Sequence, residues 1–157
     1  MLISSPAFSD RGSVPRAHTC DGADQSPPLT WSDLPPGARQ LALIVDDPDA
    51  PGRVFVHWVI YGIPATATGL PAGFPRDATV ARPVQAVQGV NDFRRTGYNG
   101  PCPPPGPPHR YVFTLYALKT DISLPPGATK AALQRAMKDQ VLAEASFTGT
   151  YARARGA

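Results

Sequence analysis

The chain has 157 residues, twenty of them proline and fourteen glycine, with 42% apolar residues and a formal net charge of +3. That length supports one domain, residues 1–157, with one core; the proline and glycine content excludes a helical bundle, and dense apolar runs exclude disorder. Basic residues are dispersed, with Arg94-Arg95 the longest run, so nucleic acid is not an expected partner and a small anion suits the modest positive excess.

No apolar stretch reaches the roughly 18 residues of a membrane span, and the first residues have neither a basic nor an apolar targeting region. The expected compartment is the cytoplasm, with the periplasm open if a signal has been removed. Cys20 and Cys102 are too few for a disulfide scaffold and too far apart for a C-x-x-C pair, so the default is two reduced thiols, with one bridge as the alternative.

In chain order, Leu2-Ile3 reads as a short strand, and His18 falls in a polar loop. Residues 41–45, Leu-Ala-Leu-Ile-Val, form a continuous apolar run closed by Asp46-Asp47-Pro48, the pattern of a central strand buried on both faces. Residues 54–63 and 109–119 are two more strands. Residues 79–87 are a weaker one, which Pro83 holds to an edge or a bulge. Residues 129–145 read as a helix capped by Thr129, with Leu133, Ala136, Met137 and Val141 on the stripe that covers a sheet. Residues 147–151 could close the sheet as a short strand. Proline pairs between these runs mark long, stiff loops, and the fold class is mostly β. Twenty prolines predict about one cis X-Pro bond, at a position the sequence leaves open.

Three segments carry candidate chemistry. In Asp47-Pro48-Asp49-Ala50-Pro51 each proline holds the preceding aspartate in an extended conformation at a strand end, where the carboxylates either cap a turn or serve a site. In residues 54–61 a period of two puts His57 on one face with Phe55, Val59 and Tyr61, an ionisable ring in an apolar strand that needs a hydrogen-bond partner. Residues 97–108, Gly-Tyr-Asn-Gly-Pro-Cys-Pro-Pro-Pro-Gly-Pro-Pro, read as a frozen pocket wall in which glycines let backbone N–H groups approach a ligand. His109 and Tyr111 follow on one strand face, with Arg110 on the other.

Together these suggest one small polar cavity lined by Asp47, His57, His109 and Tyr111. A carboxylate near an imidazole raises the ring's pKa, which would make the cavity cationic and suited to phosphate or carboxylate. Cys102 nearby is either an oxidisable thiol or an inert one. Two histidines and an aspartate are also a metal-ligand set, but no metal-site spacing accompanies them, and no metal or cofactor is expected. No G-x-S-x-G, phosphate-binding loop or dinucleotide fingerprint occurs.

The Asp47–Pro51 motif, the strand His57-Trp58-Val59-Ile60-Tyr61-Gly62-Ile63-Pro64, and the stretch from Gly100 to Leu118 resemble the phosphatidylethanolamine-binding protein family, in its bacterial Raf kinase inhibitor-like branch. Residues 20–31, 89–93 and 149–151 add to the resemblance, which spans nearly the whole chain. It implies a sandwich of two antiparallel sheets with one or two short covering helices. It also implies an anion pocket for phosphate, a carboxylate or a phosphorylated head group, built from Asp47, His57, His109 and Tyr111 with Pro101 as a wall and Arg110 in the family tripeptide. Binding and modulation of a kinase or protease follow as the expected role, with no catalysis, and a homodimer is a further expectation. Many bacterial relatives have Gly-His where this chain has Asp139-Gln140, and the eukaryotic segment that gates the pocket is not expected here. The alternative is a weak hydrolase that uses the same His/Asp set on phosphoesters or acyl esters.

Overall fold

The apolar run at residues 41–45 forms the centre of the molecule because both of its faces are covered. A computed structural model describes residues 1–154. In it β3 (Gln40–Asp47) lies between β4 (Phe55–Pro64) and β8 (His109–Leu118), antiparallel to both. β7 (Ala86–Gln88) and β6 (Thr79–Val80) extend one side, and β9 (Val141–Tyr151) closes the other, giving a six-stranded sheet in the order β6-β7-β4-β3-β8-β9. A second sheet of β1 (Leu2–Ser4), β2 (Leu29–Ser32) and β5 (Gly69–Leu70) packs over one face. Leu41, Leu43 and Val45 point into the core between the sheets with Trp31, Trp58 and Phe113. Ala42 and Ile44 point to the other side, against Leu133 and Met137 of α1 (Lys130–Met137). This is the two-sheet, helix-covered architecture expected from the resemblance, with one α-helix and a single 3-10 turn, at Arg16–His18, among the described residues.

The helix is shorter than its sequence suggests. Thr129 caps it as expected, its Oγ1 accepting from the Ala132 N–H at 3.1 Å, and Leu133 and Met137 are buried. Asp139 then takes a left-handed conformation at φ 63° and ends the turn. Residues 141–145, expected in the helix, instead begin β9 and pair with β8 from Leu118 down to Leu115. A full ladder of tertiary hydrogen bonds outweighs the helix propensity of Leu142, Ala143 and Glu144. Val141 accordingly lies off the apolar stripe, 41% exposed.

The weak strand expected at residues 79–87 is split into β6 and β7 around a turn that contains the cis Arg82-Pro83 bond, and it sits at the sheet edge. His18 lies in the N-terminal loop as read, and it is buried there: its Nδ1 donates to the Gln25 carbonyl at 2.9 Å, and its own carbonyl accepts from the Tyr98 hydroxyl at 2.7 Å. No helix among the described residues is long and apolar enough to cross a membrane.

Candidate functional site

At the end of β3 Asp47 divides its two oxygens between the turn and the neighbouring strand. Asp47 Oδ1 accepts from the Asp49 N–H at 2.8 Å, which caps the turn. Its Oδ2 accepts from His109 Nδ1 on neighbouring β8 at 2.6 Å, a short, shielded contact. Asp49 turns the opposite way and takes the backbone N–H and the guanidinium of Arg110 at 2.8 to 2.9 Å. That pairing holds its carboxyl at about 2, below the usual range, chiefly through the guanidinium hydrogen bonds. Arg110 therefore braces the turn from outside and does not line the cavity, which corrects its expected place among the ligand-binding residues.

β4 brings His57 to the cavity through a register irregularity. Val45 pairs with Trp58 and Asp46 with Val56, so His57 is the extra residue of a bulge. Side-chain parity shifts at this point. Trp58 and Ile60 face the core between the sheets, while Val59 and Tyr61 face the helix. The expectation that His57 shares a face with Val59 and Tyr61 is thus corrected, and the bulge is the reason. Its ring instead meets the rings of Phe55, Phe93 and Tyr111 edge-on, with centroids 5.4, 5.3 and 5.2 Å away. His57 is 3% exposed, and burial pushes its pKa down, against the opposing pull of the Asn99 carbonyl and Asp47. A cationic ring at this position is therefore not what the surroundings favour.

The proline-rich segment forms the wall, as expected, although its details differ. The Asn99 carbonyl accepts from His57 Nδ1 at 2.7 Å. Asp24 holds the loop by accepting from the Gly100 N–H at 2.8 Å and from Asn99 Nδ2 at 3.3 Å. Gly100 is required here, because a Cβ would lie 2.1 Å from the His18 carbonyl oxygen. Cys20 and Cys102 form a disulfide, so the expected pair of reduced thiols is corrected and Cys102 is not a free, oxidisable thiol. Folding brings the two Cα atoms to 5.4 Å across 82 residues of sequence, a proximity that spacing alone cannot show. Pro101 is buried, its carbonyl accepting from the Cys20 N–H, and it is not among the residues that line the cavity. Pro103 and Pro104 are.

The result is a cavity of about 160 Å³ with Asp47, His57, His109 and Tyr111 at its polar end and Phe55, Phe93, Pro51 and the two prolines as apolar walls. All four residues expected to meet do so. The size admits a small head group and falls below the roughly 300 Å³ at which sites for larger ligands begin. Tyr111 is 1% exposed, and its hydroxyl has no hydrogen-bond partner among the described residues, although an unpaired buried hydroxyl is unfavourable by about 1–3 kcal/mol. Burial also raises its pKa, so it stays a phenol. Phe93 was not foreseen as a lining residue. It is placed by Asn91, whose Oδ1 accepts from the Phe93 and Arg95 N–H groups, and its mark in the sequence is that it ends the 89–93 stretch that adds to the resemblance. Among the described residues no group of three or more His, Cys, Asp or Glu has metal-binding geometry.

The comparisons agree with this architecture. A UPF0098 protein of Methanothermobacter thermautotrophicus is 50% identical over 153 residues, covering 98% of this chain and 99% of that protein. Another from Aquifex aeolicus is 43% identical over 155 residues, covering 98% and 89%. The crystal structure of E. coli YbcL, described as a member of the mammalian PEBP family, superposes with a TM-score of 0.89 at 36% identity, covering 97% of this chain and 98% of that one. The model of the phosphatidylethanolamine-binding protein family matches residues 4–152, and the chain belongs to that family.

Proposed function

We propose that the chain is a non-enzymatic binding protein whose cavity takes a small oxyanion of the phosphate type. The observation that carries this reading is the buried, unpartnered Tyr111 hydroxyl at the end of the cavity shared with His57, His109 and Asp47. A buried hydroxyl without a protein partner is a donor free for an acceptor, and an anion oxygen supplies one. Asp47 fixes the His109 ring through Nδ1, which turns Nε2 towards an occupant. Among the described residues the cavity lining includes no serine or threonine hydroxyl, and the Cys102 sulfur is bonded to Cys20, so the hydrolase alternative would have to work through the same Asp, His and Tyr side chains that the binding reading uses.

The test is an NMR titration of the histidine ring signals with inorganic phosphate. Saturable shifts at His57 and His109 are expected. Tyr111→Phe, which removes one hydrogen bond to a charged group, should weaken binding roughly ten- to hundredfold. His57→Ala and Asp47→Ala should abolish it while the fold persists by circular dichroism. Unchanged affinity in Tyr111→Phe would sink the reading.

The bridge also bears on compartment. Disulfides persist where the environment is oxidising, so the reading extends to a compartment other than a reducing cytosol, in place of the cytoplasmic expectation. Maleimide labelling of protein from intact cells should find no free thiol at Cys20 or Cys102.

A further inference from the structure

What lies behind each cavity atom decides what that atom can do in front. Behind His57, the acceptor for Nδ1 is the Asn99 carbonyl oxygen. A carbonyl has no proton to give, so Nδ1 carries the hydrogen, and in the neutral ring Nε2 is a lone pair. The rings of Phe55, Phe93 and Tyr111 pack against the imidazole, an environment that resists a charged ring. His57 thus offers an occupant an acceptor, while the Tyr111 hydroxyl offers a donor.

Asp47 adds a second constraint. Both of its oxygens already accept hydrogen bonds, so it presents negative charge to the cavity with no proton to share. A dianion beside it is disfavoured relative to a monoanion. Other charged or titratable groups bear on His57 from the neighbouring elements: Asp46 and Asp47 of β3, His109 and Tyr111 of β8, and Asp24 of the N-terminal loop. None of these is the Nε2 partner.

We infer that the cavity selects an oxyanion that carries an ionisable hydrogen, a phosphate or phosphomonoester bound as its monoanion. The P–OH donates to His57 Nε2, and a second oxygen accepts from the Tyr111 hydroxyl. The inference rests on the anion reading above and goes beyond it. A phosphodiester, such as the head group of an intact phospholipid, has no such hydrogen, and neither has sulfate. Both would place an oxygen lone pair against the Nε2 lone pair. The favoured source is therefore a free phosphomonoester and not a lipid.

Calorimetry on the intact, disulfide-bonded chain tests this with matched pairs: phosphoethanolamine against glycerophosphoethanolamine, and phosphate against sulfate, at pH 7.5 in buffers of different ionisation enthalpy. A phosphomonoester has its second pKa near 6, so its binding should take up about one proton and weaken about tenfold per pH unit above neutrality. The diester and sulfate should bind at least about tenfold more weakly, the cost of a lost or repulsive polar contact. His57→Gln, whose amide can donate, should abolish the proton uptake and narrow the gap between phosphate and sulfate. Because the ligand series uses the unaltered protein, it decides the matter even if that variant does not fold. Sulfate or diester binding within twofold of its partner, or phosphate binding without proton uptake, would overturn the inference and leave the anion reading standing. If none of the four binds, both fall.

Discussion

His57 shows how one residue can be tuned by position more than by chemistry. Burial pushes its pKa down, while in the unfolded chain an imidazole takes up its proton near pH 6.5. Below that pH the unfolded state binds the extra proton and the folded state does not. Its contribution is therefore fully present above pH 6.5 and is lost as pH falls towards the ring's folded pKa, at up to about 1.4 kcal/mol per pH unit. Denaturant melts at pH 7.5, 6.5 and 5.5 should show this slope, and His57→Gln should flatten it; an equally steep variant would contradict the assignment. The need for a partner at His57 was legible, because an ionisable ring stood in an apolar strand. The partner was not, since Asn99 lies 42 residues away and contributes its backbone, which no side-chain pattern reports.

Among the elements, β4 and the 97–108 wall carry the site, and they differ in how openly the sequence announces them. Glycine and proline spacing marks the wall because its backbone demands those residues. The bulge at His57 has no such mark: its neighbours Val56, Trp58 and Val59 are buried on both sides of the sheet, so hydrophobicity is the same in either register. The start of β9 was hidden for a related reason, because Val-Leu-Ala-Glu-Ala satisfies a helix stripe as well as a strand until β8 is known to lie beside it. The wall also yields a sharp test. Gly100→Ala would place a methyl against the His18 carbonyl, and the backbone must shift to relieve it. A loss of about 1–3 kcal/mol is expected, together with weaker phosphate binding because Asn99 moves with its neighbour. Chemical denaturation and the phosphate titration on the same sample read both, and full retention of binding would uncouple wall from pocket.

For the molecule as a whole, the Cys20–Cys102 bridge closes a span of 82 residues that includes β2 through β7. Restricting a denatured loop of that length is worth about 4.5 kcal/mol. Reduction, or the double variant Cys20→Ser with Cys102→Ser, should lower the Tm by roughly 10–15 °C; a change of a degree or two would show that the N-terminal loop is held by its other contacts. The mostly-β class was legible in the apolar run at residues 41–45 and the strand-like runs around it, while the two-sheet layering followed only from the resemblance that the motifs carry. The bridge is not legible in the sequence, where two reduced thiols are the default, because the proximity of Cys20 and Cys102 is a product of the fold. The same rigidity has a kinetic reading. With a wall anchored by Asp24, the bridge and a run of prolines, an occupant meets a site already in its final shape. Entry then needs no loop closure, so arrival should be limited by encounter alone, and variants of the cavity should differ in how long a ligand stays and hardly at all in how fast it comes.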